Sequence, residues 1–303
     1  MKVINIAQAK QIQFDNVALA LGTFDGLHIG HMALIDAVKT GGTQSAVFTF
    51  DSIPADYFYG EHRPMRLMTL EEKIAAFEQT GIDFLCLTHF DEKLAGIDKD
   101  KFAAMIHDVF KPVAVIAGYN YTYGRDAKGD ADTLQKAGEI YGFKVQVIEP
   151  VISEGEPVSA TRIRECIEAG NVERASKLLG YSYALTGKVG SGRRIGTNKL
   201  GFPTANLIAP AEKIIPLRGV YGVSVSAQGA EYKGVCNIGV NPTVSNGARE
   251  TIETHIIGMS DDLYEKTITI RFDKHIRGEK KFGSIEELKA QIQRDIESIS
   301  LSP

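Results

Sequence analysis

The first 180 residues alternate short apolar runs with amphipathic stretches. Five apolar runs are predicted to be buried strands: Val17–Leu21, Ala46–Phe50, Phe84–Leu87, Val113–Ala117 and Lys144–Ile148. Between most of them the apolar spacing is helical, and helices are predicted to begin at the capping box Thr69–Glu72 and at Asp132. Such alternation indicates right-handed βαβ units and a parallel sheet covered on both faces. Ligands of these sheets bind at the carboxyl ends of the strands, near a topological switch point.

After about residue 180 the pattern changes to glycine-punctuated runs rich in β-formers: Tyr183–Val189, Gly219–Ser226, Tyr232–Ile238, Thr251–Ile257 and Thr267–Phe272. They predict an antiparallel barrel or sandwich. One closing helix is predicted to begin at Ser284–Glu287, and its apolar stripe from Ile285 to Ile296 should seal one side of the β unit. The chain is therefore predicted to form two domains, 1–181 and 182–303.

Charge argues against long nucleic acid as a partner. The first 180 residues carry 18 Lys and Arg against 25 Asp and Glu, and the remaining residues carry 16 against 13, for a net charge of −4 over 303 residues. Because neither part is strongly basic, attraction to a phosphate backbone has no obvious source.

The cysteines and the apolar segments indicate a cytoplasmic protein. Cys86, Cys166 and Cys236 are far apart and show no metal-ligand spacing, so neither a disulfide framework nor a zinc site is expected. No run approaches the ~20 apolar residues of a membrane-spanning helix, and the apolar stretch at the N-terminus is too short for a signal peptide. We expect no membrane partner.

A first chemical constellation, GTFDGLHIGH at 22–31, directly follows the strand Val17–Leu21 and leads into a predicted helix. Glycines let the backbone approach a ligand, and a helix start offers unpaired N–H groups to anions. His28 and His31, three residues apart, share one face of a first helical turn and can donate to phosphoryl oxygens under nucleophilic attack. The alternative is one helix-capping and one packed histidine.

These ten residues resemble the GTFDGxHxGH signature of HxGH nucleotidyltransferases, in particular the adenylyltransferase module of bacterial bifunctional riboflavin kinase/FAD synthetases. In the same half, Gly118–Gly124 resembles the family's GxDFxFG loop, and Ser159–Arg164 resembles its ISSTxIR motif. The resemblance implies a Rossmann-like domain with catalytic His28 and His31. It also implies nucleotide contacts at Gly22, Phe24, Asp25, Gly26, Gly30, Thr161, Arg162 and Arg164, and flavin contacts at Gly118, Asn120, Tyr121 and Tyr123.

Each of these assignments has a structural alternative. The tyrosines can equally be packing residues, and Arg162 and Arg164 can be solvated helix residues. Two positions also depart from the family pattern. Asn120 stands where the family has Asp, which loses a charge, and Ile53 stands where it has the His of a PHP element, which loses the donor as well. We expect the departures to affect the rate or substrate preference of adenylyl transfer.

A second constellation is the glycine-rich, basic segment from Gly187 that ends in Pro203–Asn206. It is not a Walker A loop, because no Gly-Lys-Ser/Thr is present, and Ile195 occupies the position that would complete GxGxxG. In an extended segment Thr204 and Asn206 point the same way, so they can jointly hold hydrated Mg²⁺ on ATP phosphates. The alternative is a simple turn.

Residues 183–297 resemble the riboflavin kinase barrel, through LGFPTAN (200–206), GVYGV (219–223), NIGVNPT (237–243), ETHII (253–257) and the closing helix. The resemblance implies that Thr204 and Asn206 bind Mg-ATP, that Gly192, Gly196 and Gly201 lie in a loop over the phosphates, and that Glu253 is the catalytic base. Strand alternation is compatible, since it places Glu253 and His255 on one face and Ile252 and Thr254 on the other. A solvent-facing Glu253 is the alternative.

The sequence thus predicts a bifunctional flavin-cofactor enzyme. Its C-terminal module is expected to phosphorylate riboflavin to FMN with ATP, and its N-terminal module to transfer AMP from ATP to FMN, giving FAD and pyrophosphate. Mg²⁺ is expected to serve both reactions. Two alternatives stay open: a riboflavin kinase with weak or lost adenylyltransferase activity, and a non-catalytic flavin-binding regulator.

Overall fold

The computed structural model describes residues 1–190, 201–241, 249–259 and 261–300. The chain divides into two compact units, Met1–Ala160 and Thr161–Pro303. The domain boundary predicted after residue 181 stays a prediction. Of the motifs singled out above, Gly192, Gly196 and the rest of 191–200, together with Pro242 and Thr243, lie outside the described residues.

The N-terminal unit contains a six-stranded parallel sheet. Its strands are β1 (Lys2–Ile4), β2 (Val17–Leu21), β3 (Gln44–Phe50), β4 (Phe84–Thr88), β5 (Ala114–Gly118) and β6 (Lys144–Ile148). They lie in the order β1-β4-β3-β2-β5-β6, and every neighbouring pair is parallel. The chain runs outward from β2 to β3 and β4, then returns to β5 on the other side of β2. The predicted switch point therefore lies between the carboxyl ends of β2 and β5.

Seven helices accompany this sheet: α1 (Ile6–Ala9), α2 (Ile29–Thr40), α3 (Pro54–Tyr59), α4 (Leu70–Thr80), α5 (Glu92–Ala95), α6 (Lys99–Phe110) and α7 (Ala131–Tyr141). The predicted capping box opens α4, since the Thr69 side chain accepts from the Glu72 N–H at 3.2 Å and the Glu72 carboxylate accepts from the Thr69 N–H at 2.9 Å. A short hairpin of β7 (Ile152–Ser153) and β8 (Glu156–Pro157) ends the unit.

The prediction that Asp132 caps α7 was wrong. Asp130 is the N-cap, and its carboxylate accepts from the Thr133 N–H at 2.9 Å. Both aspartates suit a cap chemically, but only Asp130 has a hydroxyl three residues later, and the Thr133 hydroxyl oxygen accepts from the Asp130 backbone N–H at 2.8 Å. Asp132 instead lies in the first turn of the helix.

The second unit begins with two helices, continues with a barrel and ends with a helix: α8 (Ala160–Glu168), α9 (Val172–Leu179), β9 (Ala184–Gly190), β10 (Ala205–Ile208), β11 (Gly219–Ala227), β12 (Ala230–Asn241), β13 (Arg249–Ile256), β14 (Thr267–Arg277) and α10 (Ile285–Ser300). The six strands close in the order β10-β13-β12-β11-β14-β9. All their pairings are antiparallel. Of the two predicted architectures, barrel or sandwich, the barrel is confirmed.

The barrel interior is largely apolar, and α10 covers part of its outer face. Tyr221 and Phe272 are fully buried in the core. Ile299 of α10 packs against Val220 and Val235 on the outside of β11 and β12. The apolar stripe of α10 acts through its C-terminal part, because Ile285 at the other end is 46% exposed.

Candidate active sites of the two units

His28 lies between β2 and α2 and is the N-cap of α2. Its Nδ1 accepts from the His31 backbone N–H at 3.2 Å, and the side chain is 6% exposed. An accepting Nδ1 carries no proton, so the proton of the neutral ring is on Nε2, which is then a donor. The capping alternative and the donor prediction therefore concern different nitrogens of the same ring and are compatible.

His31 lies directly against His28. The two rings are stacked with centroids 3.6 Å apart and planes inclined by 14°. Burial lowers the pKa of His31 well below its ordinary 6.5, and the neighbouring His28 ring and the Lys73 ammonium lower it further. Its Nδ1 is buried and has no hydrogen-bond partner among the described residues. A neutral imidazole with an unsatisfied buried nitrogen is suited to a polar ligand.

The loop that carries these rings has an uncommon backbone. Phe24 (φ 51°), Gly26 (φ 84°) and Leu27 (φ 37°) all have positive φ. For the two residues that are not glycine this conformation is costly and persists only when the surroundings enforce it. Asp25, 4% exposed, supplies part of that enforcement, because its carboxylate accepts from the backbone N–H groups of Leu67 and Met68 at 3.1 and 3.2 Å.

Gly22 and Gly30 of the first motif lie directly against aromatic rings, where a larger residue would collide. A Cβ on Gly30 would lie 3.2 Å from Cε1 and Nδ1 of His28, closer than ordinary van der Waals contact. A Cβ on Gly22 would lie 2.9 Å from the ring of Phe24. The glycine at position 30 therefore lets the imidazole of His28 lie over the first turn of α2.

The Gly118–Gly124 loop leaves the carboxyl end of β5, beside β2. Asn120 is exposed there, and the Tyr121 N–H donates to the Gly118 carbonyl at 3.0 Å in a tight turn. Tyr123 is only 6% exposed, lies 5.2 Å from the ring of Phe102, and donates to Thr133 at 3.2 Å. The burial of Tyr123 favours the packing alternative for that residue.

Tyr121 is partly buried and stacks on the ring of Tyr123, with centroids 5.9 Å apart and planes inclined by 18°. Flavin contacts at Gly118, Asn120, Tyr121 and Tyr123 stay predictions. The exposure of Asn120 makes it the most accessible of the four.

The predicted nucleotide segment Ser159–Arg164 leads into α8, and its three assigned residues, Thr161, Arg162 and Arg164, belong to the second compact unit. Thr161 is exposed, Arg164 is half-buried, and Arg162 is only 8% exposed. Guanidinium groups are rarely buried this far unless a specific structure accommodates them. The burial of Arg162 disfavours the solvated-helix alternative for that residue, while Arg164 remains compatible with it.

In the second unit, Glu253 lies between two amide side chains of the barrel. In β13 it pairs with Asn206 of β10 on one side and with Asn237 of β12 on the other. Directly opposite residues of antiparallel strands project from the same face, with Cβ atoms roughly 4.5–5.5 Å apart. The predicted alternation is confirmed, because Ile252 and Thr254 are buried and Glu253 is partly exposed. Asn206 and Glu253, predicted from distant segments, are thus neighbours.

The segment before β10 is held by His255. Its Nδ1 lies 2.9 Å from the Pro203 carbonyl oxygen, and its ring packs edge-on against Phe202 at 5.3 Å. Thr204 follows immediately, and Asn206 is the second residue of β10. The strand that begins at Ala205 favours the extended arrangement predicted for Thr204 and Asn206 over a turn. Gly201, with φ 77°, has open space around it.

Comparison with known proteins assigns a family to each of two parts of the chain. A family model for FAD synthetase matches residues 10–162, and one for riboflavin kinase matches residues 179–301. A bifunctional riboflavin kinase/FMN adenylyltransferase of Escherichia coli K12 is 35% identical over 299 residues, 96% of this chain and 93% of the relative. One of Bacillus subtilis 168 is 34% identical over 310 residues, 97% of this chain and 96% of the relative. The chain belongs to the bifunctional riboflavin kinase/FMN adenylyltransferase family.

A solved structure also resembles this family member over its full length. The crystal structure described as a macrolide-efflux protein from Streptococcus pneumoniae has a TM-score of 0.91 and 29% identity and covers 100% of both chains. The word efflux belongs to the description of the Streptococcus pneumoniae protein alone. Within the described residues of the present chain, no helix combines the length and apolar character needed to cross a bilayer.

The sequence interpretation missed two polar residues beside the sites of this bifunctional family member. Lys73, in the first turn of α4, is 4% exposed and lines a small pocket with Asp25, Ile53 and Arg66. Its helical position carried no signal of burial. Asn237 pairs with Glu253, and the signal was present in NIGVNPT, where the interpretation assigned no role to the asparagine.

Proposed function

We propose that the chain catalyses two successive transfers from ATP: phosphorylation of riboflavin to FMN in the C-terminal unit, and transfer of AMP to FMN in the N-terminal unit, with release of pyrophosphate. The observation that carries the proposal is that each compact unit assembles its own constellation of phosphate chemistry. His28 and His31 stack at the switch point of the sheet. Asn206 and Glu253 pair in the barrel.

Adenylyl transfer joins a phosphate oxygen of FMN to the α-phosphorus of ATP and breaks the bond between that phosphorus and the bridging oxygen to the β-phosphate. Charge builds on the equatorial oxygens during this step. Nε2–H of His28 can donate to one of these oxygens, since Nδ1 is engaged in capping. His31, kept neutral by burial, supplies a second donor. Preorganised donors of this kind stabilise the transition state without reorganisation.

In the kinase reaction, Glu253 accepts the proton of the primary alcohol of riboflavin as that oxygen attacks the γ-phosphorus, and ADP leaves. The neutral oxygens of Thr204 and Asn206 fit hydrated Mg²⁺, which prefers oxygen ligands and keeps several waters when it binds phosphates. Bound there, Mg²⁺ would neutralise phosphate charge. Because Asn206 is the cross-strand partner of Glu253, the metal-binding residue and the base share one face of the barrel.

A cytoplasmic location completes the proposal. All three cysteines are buried free thiols. Burial raises the pKa of Cys86 and of Cys236 to about 12, so these thiols stay protonated and unreactive at neutral pH. Such thiols suit a reducing compartment.

One assay tests the proposal. Purified protein is incubated with Mg-ATP and either riboflavin or FMN, and the flavins are separated by chromatography. We expect FMN and FAD from riboflavin, and FAD from FMN. Formation of FMN alone would support a kinase without adenylyltransferase activity, to which Ile53 and Asn120 would then contribute. Unchanged flavin with measurable binding would support a regulator.

A further inference from the structure

A buried lysine connects the carboxyl ends of two central strands in the N-terminal unit. The ammonium of Lys73 donates to the Thr23 carbonyl at 3.0 Å and to the Phe50 carbonyl at 3.1 Å. Thr23 lies two residues beyond β2, and Phe50 is the last residue of β3. Burying an ammonium costs free energy unless it is hydrogen-bonded. The Thr23 and Phe50 carbonyls supply this compensation for the Lys73 ammonium.

The same two regions are also joined in the opposite direction. Asp25, in the loop after β2, accepts from the N–H groups of Leu67 and Met68, just before α4. The Thr23 carbonyl also accepts from the Thr49 hydroxyl at 3.0 Å. Hydrogen bonds from α4, from β3 and from the segment just before α4 therefore converge on residues 23–25. In this stretch Phe24 has a left-handed backbone conformation, and the chain continues from it to His28.

We propose that Lys73 is a positioning residue for adenylyl transfer: by holding the carbonyls of Thr23 and Phe50 it fixes the Gly22–His28 loop, and thereby aims the stacked imidazoles at the α-phosphate. The proposal rests on the proposed adenylyltransferase function. Lys73 touches no reacting atom in this account. It acts through the loop backbone, whose left-handed residues need support from neighbouring elements.

The charges around Lys73 fit this role. Asp25, Asp51 and Arg66 face the ammonium in the same pocket. Burial lowers the pKa of Lys73 to about 8, Asp25 and Asp51 oppose that shift, and Arg66 adds to it. The ammonium is therefore mostly protonated at neutral pH, where it also lowers the pKa of His31. Removing the charge should raise the pKa of His31.

The test uses Lys73→Met, which keeps the apolar stem but loses the donors and the charge, and Lys73→Arg, which keeps both. In Lys73→Met we expect kcat for FAD formation from FMN to fall about 10- to 100-fold, the scale expected for displaced catalytic groups. The KM for ATP should change little, because the lost effect belongs to the transition state. Riboflavin phosphorylation should be unchanged, and Lys73→Arg should recover part of the lost kcat.

Two readouts do not depend on activity. Amide hydrogen exchange of residues 22–28 should accelerate in Lys73→Met. The pKa of His31, followed by the NMR signal of its ring Cε1–H and assigned with His31→Ala, should rise. The matched control is Lys39→Met, which removes a lysine of the same unit that donates to the Thr80 carbonyl at 2.8 Å, at the far end of α2.

Wild-type kcat and unchanged exchange of residues 22–28 in Lys73→Met would overturn the inference, as would an equal effect of Lys39→Met. Absence of FAD formation by the wild-type protein would instead contradict the proposed function. In that case the exchange and titration measurements would still decide whether Lys73 holds the loop.

Discussion

The two candidate sites differ in the backbone structure that holds their side chains in place. The N-terminal site is built on a loop beyond the end of a strand, with left-handed residues at Phe24 and Leu27 and a stacked histidine pair in which His28 is buried and His31 is half-buried. The C-terminal site is built on the hydrogen-bonded ladder of a barrel, where the register alone brings Asn206 to Glu253. A ladder fixes its neighbours directly, whereas a loop needs hydrogen bonds from other elements to hold its shape.

This difference teaches where each site is vulnerable. At the C-terminal site, we expect the chemical identity of one or two partly exposed side chains to decide activity, because their backbone is already fixed. At the N-terminal site, we expect activity to depend also on small shifts of the backbone and on pH, because burial sets the protonation of His31.

The largest effect is expected for Glu253→Gln. The substitution keeps the shape and removes the base, so FMN formation should fall by roughly 10²–10⁴, the contribution of a general base. FAD formation from FMN should persist. The control is Glu231→Gln, which neutralises an exposed carboxylate of β12 that pairs with Arg271 at 3.1 Å. Loss of both activities in a folded Glu253→Gln protein would contradict the separation of the sites.

His31→Ala should slow FAD formation from FMN by ~10²–10³, the usual scale for removing one preorganised donor. Riboflavin phosphorylation should be spared. His107→Ala is the control, since His107 lies on α6 of the same unit and pairs only with Asp108 and Tyr141 in the contacts described. An unchanged FAD-forming rate would eliminate the role assigned to His31.

Gly30→Ala should reduce FAD formation by about tenfold, because a displacement smaller than 1 Å costs less than ~10². The added Cβ would press on the His28 ring at 3.2 Å. Alanine favours helix over glycine by about 1 kcal/mol, so the variant should remain folded. Kinetics and thermal unfolding measured together check this; full activity would mean that the ring has room to move.

The smallest effect concerns pH and stability. Because the pKa of folded His31 lies well below the 6.5 of the unfolded chain, the unfolded state binds this proton first as the pH falls. The stability of the N-terminal unit should therefore decrease below about pH 6.5. Urea unfolding gives the free energy of unfolding of the wild type and of His31→Ala between about pH 7.5 and about 5.5. The difference between the two slopes of this free energy against pH is the contribution of His31. Equal slopes would refute it.

Much of the fold was predictable because apolar runs report burial directly. The limits of β2 and β6 match the predicted runs, and the alternation of strands and helices predicted the parallel sheet. The three-residue β1 and the four-residue β10 were missed, since segments that short have no clear periodicity.

The sites were predictable where a pattern carried chemistry. GTFDGLHIGH placed His28 and His31 at a helix start, and alternation placed Glu253 on the face of its strand opposite the buried Ile252 and Thr254. Lys73 could not be predicted this way. It lies in an amphipathic helix, where lysine ordinarily faces water, and only the tertiary arrangement reveals that its ammonium reaches the Thr23 and Phe50 carbonyls.

The central claim is that two independent sites on one chain act in sequence. Mixing Glu253→Gln and His31→Ala proteins with riboflavin and Mg-ATP tests it most directly. Neither variant alone should accumulate FAD at the wild-type rate, while the mixture should form FAD, because FMN released by one protein is adenylylated by the other. A mixture that forms no more FAD than the separate variants would contradict the account.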